Sequence, residues 1–298
     1  MKKILLSLSV VAAVAVVVVG ATTAFFSDTE TSTGNTFTAG AIDLKIDFDG
    51  YFNKVADGHP NAGSWDEKDL VVGTDKFFNF TDLKPGDFGE GTISLHVYDN
   101  DAWGKMLIEG VVDSGNTCVD PETEAAADSD CNGEDVGIDE ADGELRENLT
   151  FSACLDWGET PGFQNIGANG VQIDGNGTEE GNPLVDPTEG DNICQPNDEP
   201  VVITPGTIDT DGETHEFWPA LSALWDAYCV DEDPAGANDY GLCQGIAEDG
   251  RLVGSTTYYL AVNWNLPYAT GNEAQSDTLQ STVKFQAVQH RNNPSHTF

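Results

Sequence analysis

The chain has 298 residues, with 52 acidic side chains against 12 Lys plus Arg, so its formal net charge is −40. That excess excludes a nucleic-acid binder, which needs clustered cations to displace counterions from phosphates, and it excludes binding to an anionic lipid surface. A hydrophobic content of 39%, with 6 Trp, 7 Tyr and 14 Phe, excludes wholesale disorder, while 32 Gly and 13 Pro point to a turn-rich β protein.

Lys2 and Lys3 precede an apolar run from Ile4 to Gly20, and the small residues Ala21, Thr22, Thr23 and Ala24 follow. The order basic, apolar, small reads as a secretory signal peptide over residues 1–24, cleaved after Thr23 or Ala24. The apolar length stands near the lower limit for a membrane span, so an uncleaved anchor is the competing reading. Cleavage removes Lys2 and Lys3 and takes the charge from −40 to −42. The even set Cys118, Cys131, Cys154, Cys194, Cys229 and Cys243 agrees with export and reads as disulfides. Neighbours in sequence suggest Cys118–Cys131, Cys154–Cys194 and Cys229–Cys243. Zinc is the weaker reading, because no C-x-x-C occurs and no His stands at zinc-finger spacing from a Cys pair.

Period-2 alternation predicts the strands. Ile42, Leu44, Ile46 and Phe48 form the first such row, and Phe77 to Leu83 reads as another strand, stopped by the turn Lys84-Pro85-Gly86-Asp87. Ile93, Leu95 and Val97 follow, and Lys105 to Val112 continues the sheet region. From 111 to 250 the chain carries 34 Asp plus Glu against one base, Arg146, together with all six cysteines. Within this acidic zone Leu149, Phe151, Ala153, Leu155 and Trp157 still alternate. Phe217, Leu221, Leu224, Trp225 and Tyr228 make one apolar helix face, with Pro219 in the first turn, where its missing N–H costs nothing. Tyr258, Leu260, Val262, Trp264 and Leu266 mark a further strand, and Leu279, Val283, Phe285 and Ala287 a last one. The fold expected is all-β, an antiparallel β-sandwich built from the two flanks, with an acidic, disulfide-pinned insertion at about 113–250 containing a short helix.

The segment Ala24-Phe25-Phe26-Ser27-Asp28 is followed by Asn35-Thr36-Phe37-Thr38-Ala39-Gly40 and Ile42-Asp43-Leu44. Together with Asp82-Leu83-Lys84-Pro85-Gly86-Asp87 and the end pattern Gly271-Asn272, Gln275-Ser276-Asp277, Phe285, Ala287 and Gln289, this ordered set resembles the TasA/camelysin family, processed by a SipW-type signal peptidase. The likeness covers roughly residues 1–112 and 251–298 and leaves out the acidic insertion. It implies a jelly-roll domain over 36–298, assembled as a homopolymer into an extracellular fibre of a biofilm matrix; archaeal bundling pili are similar. By the same resemblance, residues 25–35 are a donor strand, its carried-over positions being Ala24, Phe25, Phe26, Ser27, Asp28, Thr29, Glu30 and Thr31. The physics is β-augmentation, in which an unpaired sheet edge is completed by an extended strand from another chain. The competing reading is a flexible mature terminus.

A zincin needs His-Glu-x-x-His on a helix. The nearest string is His215-Glu216-Phe217-Trp218-Pro219, with Pro219 where the second ligand belongs, and His59, His96, His290 and His296 are scattered. The chain is therefore read as not an enzyme, with a camelysin-like metallopeptidase as an alternative. No cofactor is expected, except calcium as a candidate at Asp135, Asp139, Glu140, Asp142 and Glu144 and at Asp231 and Asp233, since hard cations take several oxygens from a flexible loop. The bland alternative there is a solvated acidic surface, and a non-polymerising acidic or calcium-binding surface module is the main rival for the whole chain. Asn79, Asn148 and Asn176 begin N-x-Thr sequons and are candidate glycosylation sites. The charge leads to the expectation of a halophile's cell-surface or matrix protein, because packing such subunits together requires strong screening.

Overall fold

The computed structural model describes residues 27–30, 42–53, 59, 61–116, 118–125, 128, 131, 143–158, 162–163, 189–194, 199–208, 213–229, 243 and 245–298. The strands within them are β1 (Ser27–Glu30), β2 (Asp43–Phe52), β3 (Ser64–Lys68), β4 (Phe88–Tyr98), β5 (Ala102–Ser114), β6 (Thr150–Leu155), β7 (Val201–Thr207), β8 (Glu213–Glu216), β9 (Thr256–Asn265) and β10 (Thr278–Gln289). One sheet has the order β3-β2-β4-β9-β6-β7, the other β1-β10-β5-β8. Every ladder is antiparallel. The protein is an all-β sandwich.

The core lies between the two inner faces. Leu44, Ile46 and Phe48 of β2, Ile93 and Leu95 of β4, Leu260 and Val262 of β9, and Leu155 of β6 meet Met106 and Ile108 of β5 and Phe285 and Ala287 of β10. Phe285 is fully buried, and burying such a side chain stabilises the fold by about 1.5–3 kcal/mol. Strand β2 keeps a clean in–out alternation, whereas β4 is buried on both faces. On the outer face, cover on β9 comes from the acidic zone, while His96 of β4 is met there by Asp47 and Glu67. Residues 189–194 are tied to β6 by Cys154–Cys194, and Gly190 lies so close to the Tyr259 ring that a Cβ there would come within 3.0 Å of it. Thr92, Ser94, His96 and Thr257 are buried polar residues of these same two strands.

The acidic zone is more than an insertion beside the sandwich, because β6 and β7 extend one sheet and β8 extends the other. All six cysteines are paired, as Cys118–Cys131, Cys154–Cys194 and Cys229–Cys243. The helix predicted from Phe217 is α-helical over Trp218–Leu224, with Pro219 in its first turn, and ends in a π-helical turn Trp225–Cys229.

Phe77 to Leu83 is not a strand. Its aromatic rings act as anchors instead: Phe77 and Phe78 pack on Phe48, and Phe80 packs on Phe52 and Trp264. Its backbone is tied to a side chain, Thr81 N donating to Asn61 Oδ1 at 3.0 Å, and Asp82 takes a φ of 58°, which breaks an extended run. The turn after it forms as expected. Asp87 N donates to Lys84 O at 2.8 Å, Lys84 N donates to Asp87 Oδ2 at 2.7 Å, and Gly86 takes a φ of 94° under the Tyr268 ring, where any Cβ would collide.

Candidate functional site

The sandwich has four sheet edges, and three are blunted. β3 carries the charged run Asp66, Glu67 and Lys68, β7 contains Pro205, and β8 has 4 residues with Glu213 and Glu216. Charge, proline and shortness each discourage pairing with a further strand. The fourth edge differs. β10 is 12 residues long, and its inner edge is laddered to β5 along its length, with one irregularity between Gln280 and Thr282. Its outer edge carries β1, paired as Ser27↔Val288, Asp28↔Ala287, Thr29↔Gln286 and Glu30↔Phe285. Thus β1 covers 4 positions, and among the described residues no strand pairs with the outer edge from Thr278 to Lys284. That stretch is mainly polar and exposed at Thr278, Gln280, Ser281 and Thr282, and Lys284 stands 3.7 Å from Glu109 of β5.

Of the residues read as a donor strand, Ser27, Asp28, Thr29 and Glu30 form β1 on the chain's own β10. Ala24, Phe25, Phe26 and Thr31 lie outside the described residues, as does the whole of the segment read as a signal peptide. On the opposite side of the sandwich a cleft of about 320 Å³ opens between β7 and β8, lined by Ile108, Phe151, Ile203, Pro205 and His215.

The histidines do not converge. His215 stands on β8 opposite Met106, not on a helix, and its Nε2 is 3.5 Å from Glu213. His96 is buried, with Nε2 2.6 Å from Asp47 Oδ2 and Nδ1 3.0 Å from Thr257 Oγ1. His59 stacks on Phe52, while His290 and His296 pack against Trp103. Among the described residues no group of three His, Cys, Asp or Glu ligand atoms within 4.8 Å includes a histidine.

Of the calcium candidates, Asp135, Asp139, Glu140, Asp142, Asp231 and Asp233 lie outside the described residues. Glu144 is described: its backbone N–H donates to Asp277 Oδ2 at 2.7 Å. Burial, together with the nearby Asp113 and Glu122, pushes the Asp277 carboxyl up to about 6. Glu122 and Asp128, both buried, come within 4.8 Å of each other and of the Cys131 sulfur, which is spent in a disulfide. Asn79 is exposed, whereas the Nδ2 of Asn148 donates to Glu144 O at 2.8 Å; Asn176 lies outside the described residues.

A second acidic patch was invisible in the sequence because its members come from separate elements. Asp156 follows β6 and is fully buried. Its Oδ1 accepts from Gly190 N at 2.8 Å and its Oδ2 from Asn192 N at 3.2 Å, so the carboxylate pins residues 189–194 over the sheet. Glu199, also buried, has its Oε2 3.3 Å from the Cys154 sulfur. Burial, with Asp156, Asp191 and Glu199 nearby, pushes the Glu90 carboxyl of β4 up to about 9. Asp156 is pushed up by burial and by Glu199. The signal that could have pointed here is an acid, Glu90, in phase with the polar Thr92 and Ser94 along β4.

Residues 1–60 match the family model described as Camelysin metallo-endopeptidase. The match lies within the N-terminal part of the TasA/camelysin resemblance and covers about a fifth of the chain. Among curated proteins no match is found.

Proposed function

We propose that this chain is a secreted structural subunit that polymerises by donor-strand exchange into extracellular fibres of a biofilm matrix or bundling pilus. The observation that carries this reading is the occupancy of the β10 edge. The segment just after the proposed cleavage site is a short strand there, covering 4 of 12 positions. Its antiparallel register, continued past Glu30, would bring Phe37 opposite Thr278, so a donor from a second copy has a matching length of edge to fill. Donor and acceptor are different patches of one chain type, and such a heterologous contact propagates into a filament instead of closing. Backbone hydrogen bonds supply the binding, and alternation along the strand sets its register. The N-terminal family match and three disulfides, which fit an oxidising extracellular setting, support the same reading.

The matched family's name carries a peptidase label. Against catalysis in this chain stand Pro219 in the second ligand position of the nearest zincin string and His215 on a strand. The test is removal of residues 24–35 from the mature protein. The expected result is a folded monomer, with its melting transition retained, that forms no fibres in negative-stain micrographs. Fibres that persist without the segment would rule out donor-strand assembly.

A further inference from the structure

We propose that the space between the outer face of the six-stranded sheet and residues 189–194 is a divalent-cation site of the calcium type, with Glu90, Asp156 and Asn192 supplying oxygens and Glu199 at its side. Three elements meet there. Glu90 and Thr92 stand two apart on β4 and so on one face, Asp156 follows β6, and Asn192 is held at the Asp156 carboxylate through its backbone N–H at 3.2 Å.

Beyond the acids themselves, the observation that points to a ligand is a set of buried oxygens that meet no donor. Asn192 is 5% exposed and its Oδ1 has no hydrogen-bond partner. Thr92 is 4% exposed and its Oγ1 has none, and neither has Glu90 Oε1. A side-chain carbonyl and a carboxylate oxygen left without donors in a buried place each lose their hydration without replacement. Native structures meet such groups with protein, water or an ion. No Lys or Arg among the described residues forms an ion pair with Glu90 or Asp156. A bound cation offsets this cost for every oxygen at once.

The donor set selects the kind of ion. All the available ligands are oxygens, because Cys154 and Cys194 are joined and offer no thiolate, and this disfavours zinc. A neutral amide oxygen combined with carboxylates on a covering loop suits Ca²⁺, which accepts six to eight oxygens in variable geometry; Mg²⁺ demands a tighter octahedron and keeps its waters. Among the described residues, the ligand triad already closed within 4.8 Å in this patch is Glu199 with the two disulfide sulfurs. The ion would bridge these carboxylates beneath residues 189–194, which already lie on the sheet.

The experiment uses the chelator-treated mature protein in high NaCl, so that loose binding to surface acids is screened. Calcium chloride is titrated by calorimetry and by thermal melting, for the wild type, Glu90→Gln and Asn192→Ala. The wild type should gain a calcium-dependent rise in melting temperature. Each variant should lose at least tenfold in affinity at one site. At pH 7 chelated Glu90→Gln should melt above the chelated wild type, because it no longer has to take up a proton in order to bury that side chain, which separates loss of binding from loss of folding. An equal calcium response in all three proteins would mean that the ion binds elsewhere. No response in the wild type would mean that water and protons satisfy these oxygens. Either result overturns the proposal.

Discussion

Glu90 and Asp156 make the fold sensitive to pH through burial. Burial pushes the Glu90 carboxyl from its ordinary 4.5 up to about 9, and Asp156 upward as well. A carboxyl with a raised folded-state pKa binds its proton more tightly when folded. Its contribution to stability is then complete below the ordinary carboxylate range and is lost as the pH climbs toward 9. In chelator, denaturant melts at pH 5 should therefore give a higher stability than melts at pH 9, and Glu90→Gln should flatten that fall. Equal slopes for wild type and variant would contradict the assignment. At this scale the sequence was a poor guide. It shows acids crowded at 135–144 and 231–233, but Glu90 and Asp156 lie 66 positions apart and come near enough to influence one another only when β4, β9 and β6 align. Gly86 was legible for the opposite reason: a Pro-Gly turn is a local property, and its φ of 94° follows from the residues on either side.

Elements with strict alternation were readable because side-chain period and burial are set by neighbours two positions away. β2 and β10 follow from such rows, as does the helix from the apolar face of Phe217, Leu221 and Leu224. Phe77 to Leu83 misled because adjacent aromatics look like a buried strand, while Phe78 and Phe80 serve as plugs on Phe48 and Trp264 without any ladder. The part played by β6, β7 and β8 in both sheets was hidden by the acidic composition around them. The disulfides that hold these elements should differ in worth with the length of chain they close. Cys154–Cys194 spans 40 positions and Cys118–Cys131 spans 13. Replacing the first pair by Ala should cost about 4 kcal/mol and the second about 3 kcal/mol, on the loop-entropy argument. Denaturant midpoints of the two double variants measure this, and a reversed order would show that the strap over Asp156 contributes little.

For the whole molecule the question is how subunits of this charge come together. At −40 for the full sequence, neighbours repel over the Debye length, which is about 8 Å at physiological salt and about 3 Å at 1 M. Close packing along a fibre fits molar salt, or cations held at sites such as the Glu90 patch. The register on β10 offers the most direct measurement of how the subunits join. Thr29 and Gln286 are opposite one another, so the double variant Thr29→Cys/Gln286→Cys places two thiols across that pair. The protein is assembled under reducing conditions in high salt, the fibres are collected and oxidised, and the chains are separated without reductant. Donor-strand exchange predicts a covalent ladder of multimers, since the thiol of each donor strand faces the β10 of the next subunit. Fibres that yield monomers closed on themselves would show that each N-terminal strand stays on its own sheet, and the account of assembly would be wrong.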